Sequence, residues 1–319
     1  MFALGIDENG LGPRLGPLVV TAVAAEVDEK GALALTKKPK GRLRERLGDS
    51  KDLVTFGRAG LAEAWARAIP STLGRACTSP AELLETIALD DKSTLLAPCP
   101  NRTHVAQCWT HASHFGAEKA LVNLLTKDLA RLEKRGIRIA SVKSVIVCNS
   151  ALNQAASKGT SRFRVDLSAM ERLLLSARAE FGEEIDAVCG KVGGFDRYPP
   201  QFSHLSGYLY STLEEGRAAS RYRIAGLGRV SWVRDADASH LLVSMASLVG
   251  KWVREALMGN IVRFYQAHES DVAPASGYHD PVTTRFIEST EATRKRLAIV
   301  SSCFEREKAT SSAEQEPPP

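Results

Sequence analysis

The sequence predicts an α/β fold: a mixed β-sheet that opens with two antiparallel strands, continues by strand–helix alternation and is flanked by helices. Two apolar runs, 2–7 and 17–26, are separated by a turn holding Gly10, Gly12, Pro13, Gly16 and Pro17, the punctuation of an antiparallel pair. Beyond residue 140, short β-branched runs alternate with stretches of helical period. Hydrophobic residues make up 44% of the 319 positions and charged residues 25%, which supplies a large core and excludes a disordered or fibrous chain.

The elements are expected in this order. After the opening pair, helical signals occupy about 57–68 and 115–135; the second carries Leu121, Leu125, Leu129 and Leu132 on one face and stops at Gly136. A strand follows at 141–148. Asp166 can cap a helix bearing Leu167, Met170, Leu174, Ala177 and Phe181. A short strand at 185–189, a helical stretch at about 202–219, a strand at 230–234 and a long helix at 238–266 complete the alternation. One domain over 1–306 is expected, with an insertion near 78–115 and a C-terminal helical part near 280–306. The tail at 307–319 has the composition of disorder.

The chain opens directly into an apolar strand, and no apolar run approaches the roughly 18 residues of a membrane helix. A cytoplasmic location with no membrane contact is therefore expected, and the six cysteines read as free thiols. The net charge of +5 is compatible with a polyanionic partner. The segment from Lys37 to Arg46 concentrates cations and reads either as a solvated face or as a grip on phosphates.

Asp7 and Glu8 end the first apolar strand. Carboxylates there are costly unless solvated, paired or bound to a cation. Neighbouring strand residues face opposite sides, so both acids can serve one site only if the chain bends at once, which Gly10 and Gly12 permit.

The string from Gly5 to Val20 (Gly-Ile-Asp-Glu-Asn-Gly-Leu-Gly-Pro-Arg-Leu-Gly-Pro-Leu-Val-Val) resembles the opening of type 2 ribonuclease H, where Asp-Glu-Ala-Gly-Arg-Gly leads to Gly-Pro and a second strand. Three further stretches match in order. Asp49-Ser50-Lys51 looks like the family's Asp-Ser-Lys. The run from Asp235 to Lys251 looks like its Lys-Ala-Asp-Ala…Val-Ser-Ala-Ala-Ser…Lys, with the spacing from Asp237 to Ser244, Ser247 and Lys251 kept. Ser276-Gly277-Tyr278 with Asp280-Pro281 looks like its Ser-Gly-Tyr…Asp-Pro, one residue shorter. The likeness covers most of 2–290 apart from 78–115, and leans to the archaeal and eukaryotic catalytic-subunit branch.

This resemblance implies a ribonuclease H-like sheet and a divalent-metal endonuclease, using Mg²⁺ or Mn²⁺ on the RNA strand of RNA–DNA hybrids or on ribonucleotides embedded in DNA. It implies Asp7, Glu8 and Asp237 as catalytic metal ligands. Gly10, Leu11, Gly12, Arg14, Ser50, Lys51 and Tyr278 are implied as substrate contacts. The chemistry suits the residue types, because two hard ions activate water and neutralise the leaving oxyanion, and such ions take carboxylate oxygens. An N-cap role is the structural alternative for Asp237.

Two departures stand out. The family's further metal-binding Asp falls at Gly190, followed by Lys191, which weakens the field for divalent ions if it points inward; Asp186, Asp196 or Asp235 could move in. The family's Gly-Arg-Gly, which reads the ribose 2′-OH, is Gly10-Leu11-Gly12 here. The rival reading is a ribonuclease H fold that binds nucleic acid with weak or no cleavage. Cys99, His104, Cys108, His111 and His114 are ligand types for zinc, but their spacing is nonstandard and the stretch reads as an insertion.

Overall fold

A computed structural model describes residues 1–110, 114–192 and 195–307. In chain order the strands are β1 (Phe2–Asn9), β2 (Leu18–Val27), β3 (Ile137–Val147), β4 (Ile185–Gly190), β5 (Tyr210–Glu215), β6 (Ala219–Ile224) and β7 (Gly228–Val233). The α-helices are α1 (Glu29–Leu35), α2 (Ser50–Leu53), α3 (Gly60–Thr72), α4 (Pro80–Ile87), α5 (Lys92–Leu96), α6 (Arg102–Trp109), α7 (Lys119–Glu133), α8 (Asn149–Ser157), α9 (Arg162–Phe181), α10 (Leu241–Gln266), α11 (Pro281–Ser289), α12 (Glu291–Arg296) and α13 (Ser301–Phe304).

The strands form one sheet in the order β3-β2-β1-β4-β7-β6-β5. β1 pairs antiparallel with β2 and parallel with β4, and β4 runs parallel to β7. This is the mixed sheet expected from the sequence, with an opening antiparallel pair and helices on both faces. β1 and β2 are covered on both faces, so they read as continuous apolar runs rather than as alternation.

One face is sealed by α10 with α3 and α7 behind it, around Val19, Val23, Trp65, Leu125 and Leu242. Gly5 allows α10 to lie this close, since a Cβ there would sit 2.2 Å from the Leu242 and Val243 backbone. The other face is sealed by α9, whose Phe163, Leu167 and Met170 pack with Leu4, Ile6, Val20 and Cys189. A third cluster joins the end of α10 to the C-terminal helices through Leu15, Met258, Tyr265, Phe286 and Phe304.

Two expectations are corrected. The stretch 202–219 is not helical: after a turn at Gly207 it forms β5, an edge strand exposed along its length. It buries no face, so no period marks it. Asp166 is not a cap; Ser161 caps α9 by accepting from the Arg164 amide, and Asp166 lies inside the helix. The insertion near 78–115 contains α4, α5 and α6. The tail 308–319 lies outside the described residues. No described helix is long and apolar enough to cross a membrane.

Candidate active site

The site lies at the carboxyl ends of β1 and β4. Alternation along β1 sends Ala3, Gly5, Asp7 and Asn9 toward α10, and Leu4, Ile6 and Glu8 toward α9. The Ser247 side chain of α10 lies beside the Asp7 carboxylate, and Asn9 Nδ2 donates to the Ser247 carbonyl at 3.2 Å. The bend expected after Glu8 is absent, because β1 stays paired with β2 through Asn9↔Val19. Instead the two acids meet over the end of β4. The register Ile6↔Cys189 brings Gly190 beside Asp7. A Cβ on Gly190 would lie 2.7 Å from Asp7 Oδ1 and 3.6 Å from Glu8 Oε2. Both carboxylates therefore lean across the space that a side chain at 190 would fill.

Asp237 joins them from the far side of β4. Asp235, in the left-handed region with φ 51°, turns the chain sharply after β7, and Asp237 follows within a short 3₁₀ turn, Ala236–Ala238. It does not cap α10; His240 holds that position. The Ser244 hydroxyl donates to the Asp237 carbonyl. Three turns of α10 then explain the spacing read in the sequence. Ser247 Oγ donates to Ser50 Oγ at 2.9 Å, and Lys251 Nζ donates to the Ser50 carbonyl at 3.0 Å. One helix face thus fixes the Asp237 turn, Asp7 and the Asp49-Ser50-Lys51 loop together.

The electrostatics are those of gathered acids. Burial raises the Asp7 carboxyl well above the carboxylate range, and the charge of Glu8 adds to this. Glu8 is raised to about 8 by burial and then by Asp166. Burial and then Asp49 raise Asp237. Lys51 opposes all three shifts, yet among the described residues no ion pair is formed by Asp7, Glu8 or Asp237. The donor set suits a hard divalent ion. Among the described residues, both carboxylate oxygens of the neighbouring Asp166 are buried without a hydrogen-bond partner, an orphaned condition that a cation relieves. As the side chains stand, no group of three or more described His, Cys, Asp or Glu residues is placed to hold a metal ion.

The expected substrate contacts divide. Gly10, with φ 88°, Leu11 and Gly12 form the loop that follows β1. Arg306 Nη1 donates to the carbonyls of Gly10 at 2.7 Å and Leu11 at 3.1 Å. His279 contacts the Gly12 carbonyl. The Leu11 side chain is half-buried against the α9 side of the core. Tyr278 stands beside this loop, exposed, with the Arg254 guanidinium 4.6 Å from its ring centre. Ser50 is buried and bonded to Ser247, and the neighbouring Lys51 lies in electrostatic reach of the acids. Arg14 turns away, ion-paired to Glu305 at 2.7 Å and bonded to Thr284.

Sequence reasoning missed Asp166, Arg254 and Arg306. Arg254 extends the series Ser244, Ser247, Lys251 along one helix face, a signal present in the spacing. Arg306 carried none, since its partners, the carbonyls of Gly10, Leu11 and Gly16 and the Asn149 side chain, lie 157 or more positions away. Lys191 does not point at the acids; it pairs with Asp196 at 3.1 Å. Of the suggested substitutes for a carboxylate at 190, Asp186 is held by Arg229, Asp196 by Lys191, and Asp235 is exposed beside Arg234. The segment from Lys37 to Arg46 lines a separate cleft of about 360 Å³ with Arg131 and Arg135 of α7. Cys99 and Cys108 lie within electrostatic reach of Cys148 and Cys303, and all six cysteines are free thiols. His104 is held by Asn101 and the Val300 amide, and His111 lies outside the described residues.

The fold and site define an α/β protein with a carboxylate cluster at the ends of β1 and β4. No family model matches the chain, and no curated protein matches it. Solved structures similar to it include ribonuclease HII of Archaeoglobus fulgidus in a complex with PCNA, at 17% identity over 98% of this chain and 99% of the other, TM-score 0.47. Ribonuclease H2 of Pyrococcus horikoshii is 16% identical over 95% and 92%, TM-score 0.38. Bst-RNase HIII in complex with Mn²⁺ is 11% identical over 96% and 66%, TM-score 0.43.

Proposed function

We propose that this protein is a ribonuclease H-type endonuclease that uses Mg²⁺ or Mn²⁺ to hydrolyse the RNA strand of RNA–DNA hybrids or a ribonucleotide embedded in DNA. The observation that carries the reading is the convergence of Asp7 and Glu8 over Gly190, with Asp237 in electrostatic reach and, among the described residues, no basic residue paired to any of them. Buried acids so arranged repel one another, and a bound cation removes that cost. In this reading Asp7, Glu8 and Asp237 hold the ions. When bound, they supply an activated water and neutralise the leaving oxygen.

The remaining residues orient substrate. Ser50 and Ser247 hold Asp7 and Lys51 in mutual register, and Lys51 offers its ammonium to a phosphate at the edge of the acids. Tyr278 presents its ring to a sugar beside the Gly10-Leu11-Gly12 loop, stiffened from behind by Arg254. Discrimination of RNA by that loop rests on its backbone, since Leu11 supplies no cation.

Gly190 favours a second reading, a nucleic-acid-binding protein with weak or no cleavage, because one carboxylate is missing from β4. The purified protein incubated with Mg²⁺ or Mn²⁺ on a hybrid and on a duplex holding one ribonucleotide separates the two. Cleavage that Asp7→Asn abolishes supports the enzyme. Tight binding of hybrid without cleavage supports the second reading.

A further inference from the structure

We infer that Asp166, projecting from α9, supplies to the acid cluster the carboxylate that β4 lacks at Gly190. The inference rests on the functional reading above, and it moves a ligand from a strand to the helix packed across that strand.

The placement comes from the helix period. Phe163, Leu167 and Met170 lie three before, one after and four after Asp166, and all pack onto the face formed by Leu4, Ile6, Val20 and Cys189. Asp166 is therefore on the buried face of α9, over β1 and β4. Ile6 and Cys189 are the residues immediately before Asp7 and Gly190. Asp166 is the strongest charge that Glu8 feels, and Asp7 is the charge that Asp166 feels.

A structural role for Asp166 finds no support in its contacts. It is 0% exposed, yet among the described residues neither carboxylate oxygen has a hydrogen-bond partner. The other buried acid of the same helix shows what a structural carboxylate looks like: Glu171 accepts from the Ser203 amide at 3.0 Å and the Leu205 amide at 2.8 Å. Leaving a buried carboxylate unsatisfied is destabilising, so its presence over the cluster calls for a counter-ion. Gly190 puts no side chain between the two strand acids, and Asp7 Oδ1 and Glu8 Oε2 lean into that space. Asp186, Asp196 and Asp235, which could otherwise fill it, are engaged or exposed elsewhere.

The test is Mn²⁺ binding by the full chain without nucleic acid, followed by calorimetry and by the electron paramagnetic resonance signal of free ion. Asp166→Asn is expected to weaken Mn²⁺ affinity roughly tenfold or more, or to remove one ion from the stoichiometry. In chelator its melting temperature should equal or exceed that of the wild type, because an unpaired buried acid has been removed. The double variant Asp166→Asn/Gly190→Asp is expected to regain affinity. Unchanged Mn²⁺ binding in Asp166→Asn, with binding lost in Asp7→Asn, overturns this inference and leaves the proposed function standing. A lower melting temperature in chelator with unchanged Mn²⁺ affinity also overturns it, in favour of a structural role. Absence of Mn²⁺ binding by the wild type overturns both.

Discussion

Raising the pH of the metal-free protein should destabilise it, and the effect can be worked from Glu8. Burial and the neighbouring Asp166 lift this carboxyl from 4.5 to about 8. Between those values the unfolded chain has released the proton while the folded chain retains it. The native state then binds more protons, and stability falls as pH rises through the folded value. His240 contributes the opposite slope at lower pH. Burial holds it near 4, so stability gained from keeping it neutral is complete only above 6.5. The diagnostic window is therefore pH 6.5 to 8. Across it Glu8 alone accounts for about 2 kcal/mol, from 1.36 kcal/mol per unit. That corresponds to roughly 4–8 °C in melting temperature, at about 2–4 °C per kcal/mol. The assay is thermal unfolding in chelator at several pH values, repeated in millimolar Mg²⁺ or Mn²⁺. The wild type should lose stability toward pH 8, the ion should restore it most at pH 8, and Glu8→Gln should give a shallower slope. A flat or rising profile in chelator, or an unchanged slope in Glu8→Gln, refutes the electrostatic account of the cluster.

Gly190→Asp places a Cβ 2.7 Å from Asp7 Oδ1, which a small rotation of that flexible carboxylate relieves, and Gly190 does not occupy a left-handed conformation. With Asp166 intact, the variant should cleave hybrid within about tenfold of wild type, whereas in an Asp166→Asn background it should raise the rate by roughly tenfold or more; kinetics with Mn²⁺ measure both. Neutralising Lys37, Lys38, Lys40 and Arg42, which line the basic cleft, should reduce the salt slope of hybrid binding by roughly 0.7–0.9 log units per lost phosphate contact, read from affinities at several salt concentrations. Arg306→Ala strips bonds from the carbonyls of Gly10, Leu11 and Gly16 and should cost about 3 kcal/mol or more in urea unfolding, with the loop beside Tyr278 loosened.

Much of this arrangement is legible in the chain because local rules and the fold agree. The opening pair of strands, the parallel return of β4 and β7, and the long α10 each have a period or a turn that marks them. The spacing of Ser244, Ser247 and Lys251 from Asp237 is a helix face, and it emerges as one. Illegible parts fall where the signal is nonlocal or ambiguous. β5 buries nothing, so its residues carry no alternation. Asp166 sits near the start of a helix, where an Asp ordinarily caps, and only its apolar neighbours at helical spacing separate a buried acid from a cap. The direction of Lys191 depends on Asp196 and a hairpin turn at Gly216, neither of which its neighbours in sequence foretell. Arg14 reads as a phosphate contact by its place in the loop, but Glu305, remote in sequence, claims it.

The proposed activity depends on divalent cations held by the acids at the ends of β1 and β4. Crystals soaked in Mn²⁺ and measured at the manganese absorption edge test this directly. Anomalous density is expected against the carboxylates of Asp7 and Glu8, with Asp166 turned toward it, and is expected to vanish from the same place in Asp7→Asn. Absence of density at Asp7, in crystals whose protein remains folded at that pH, would contradict the central claim.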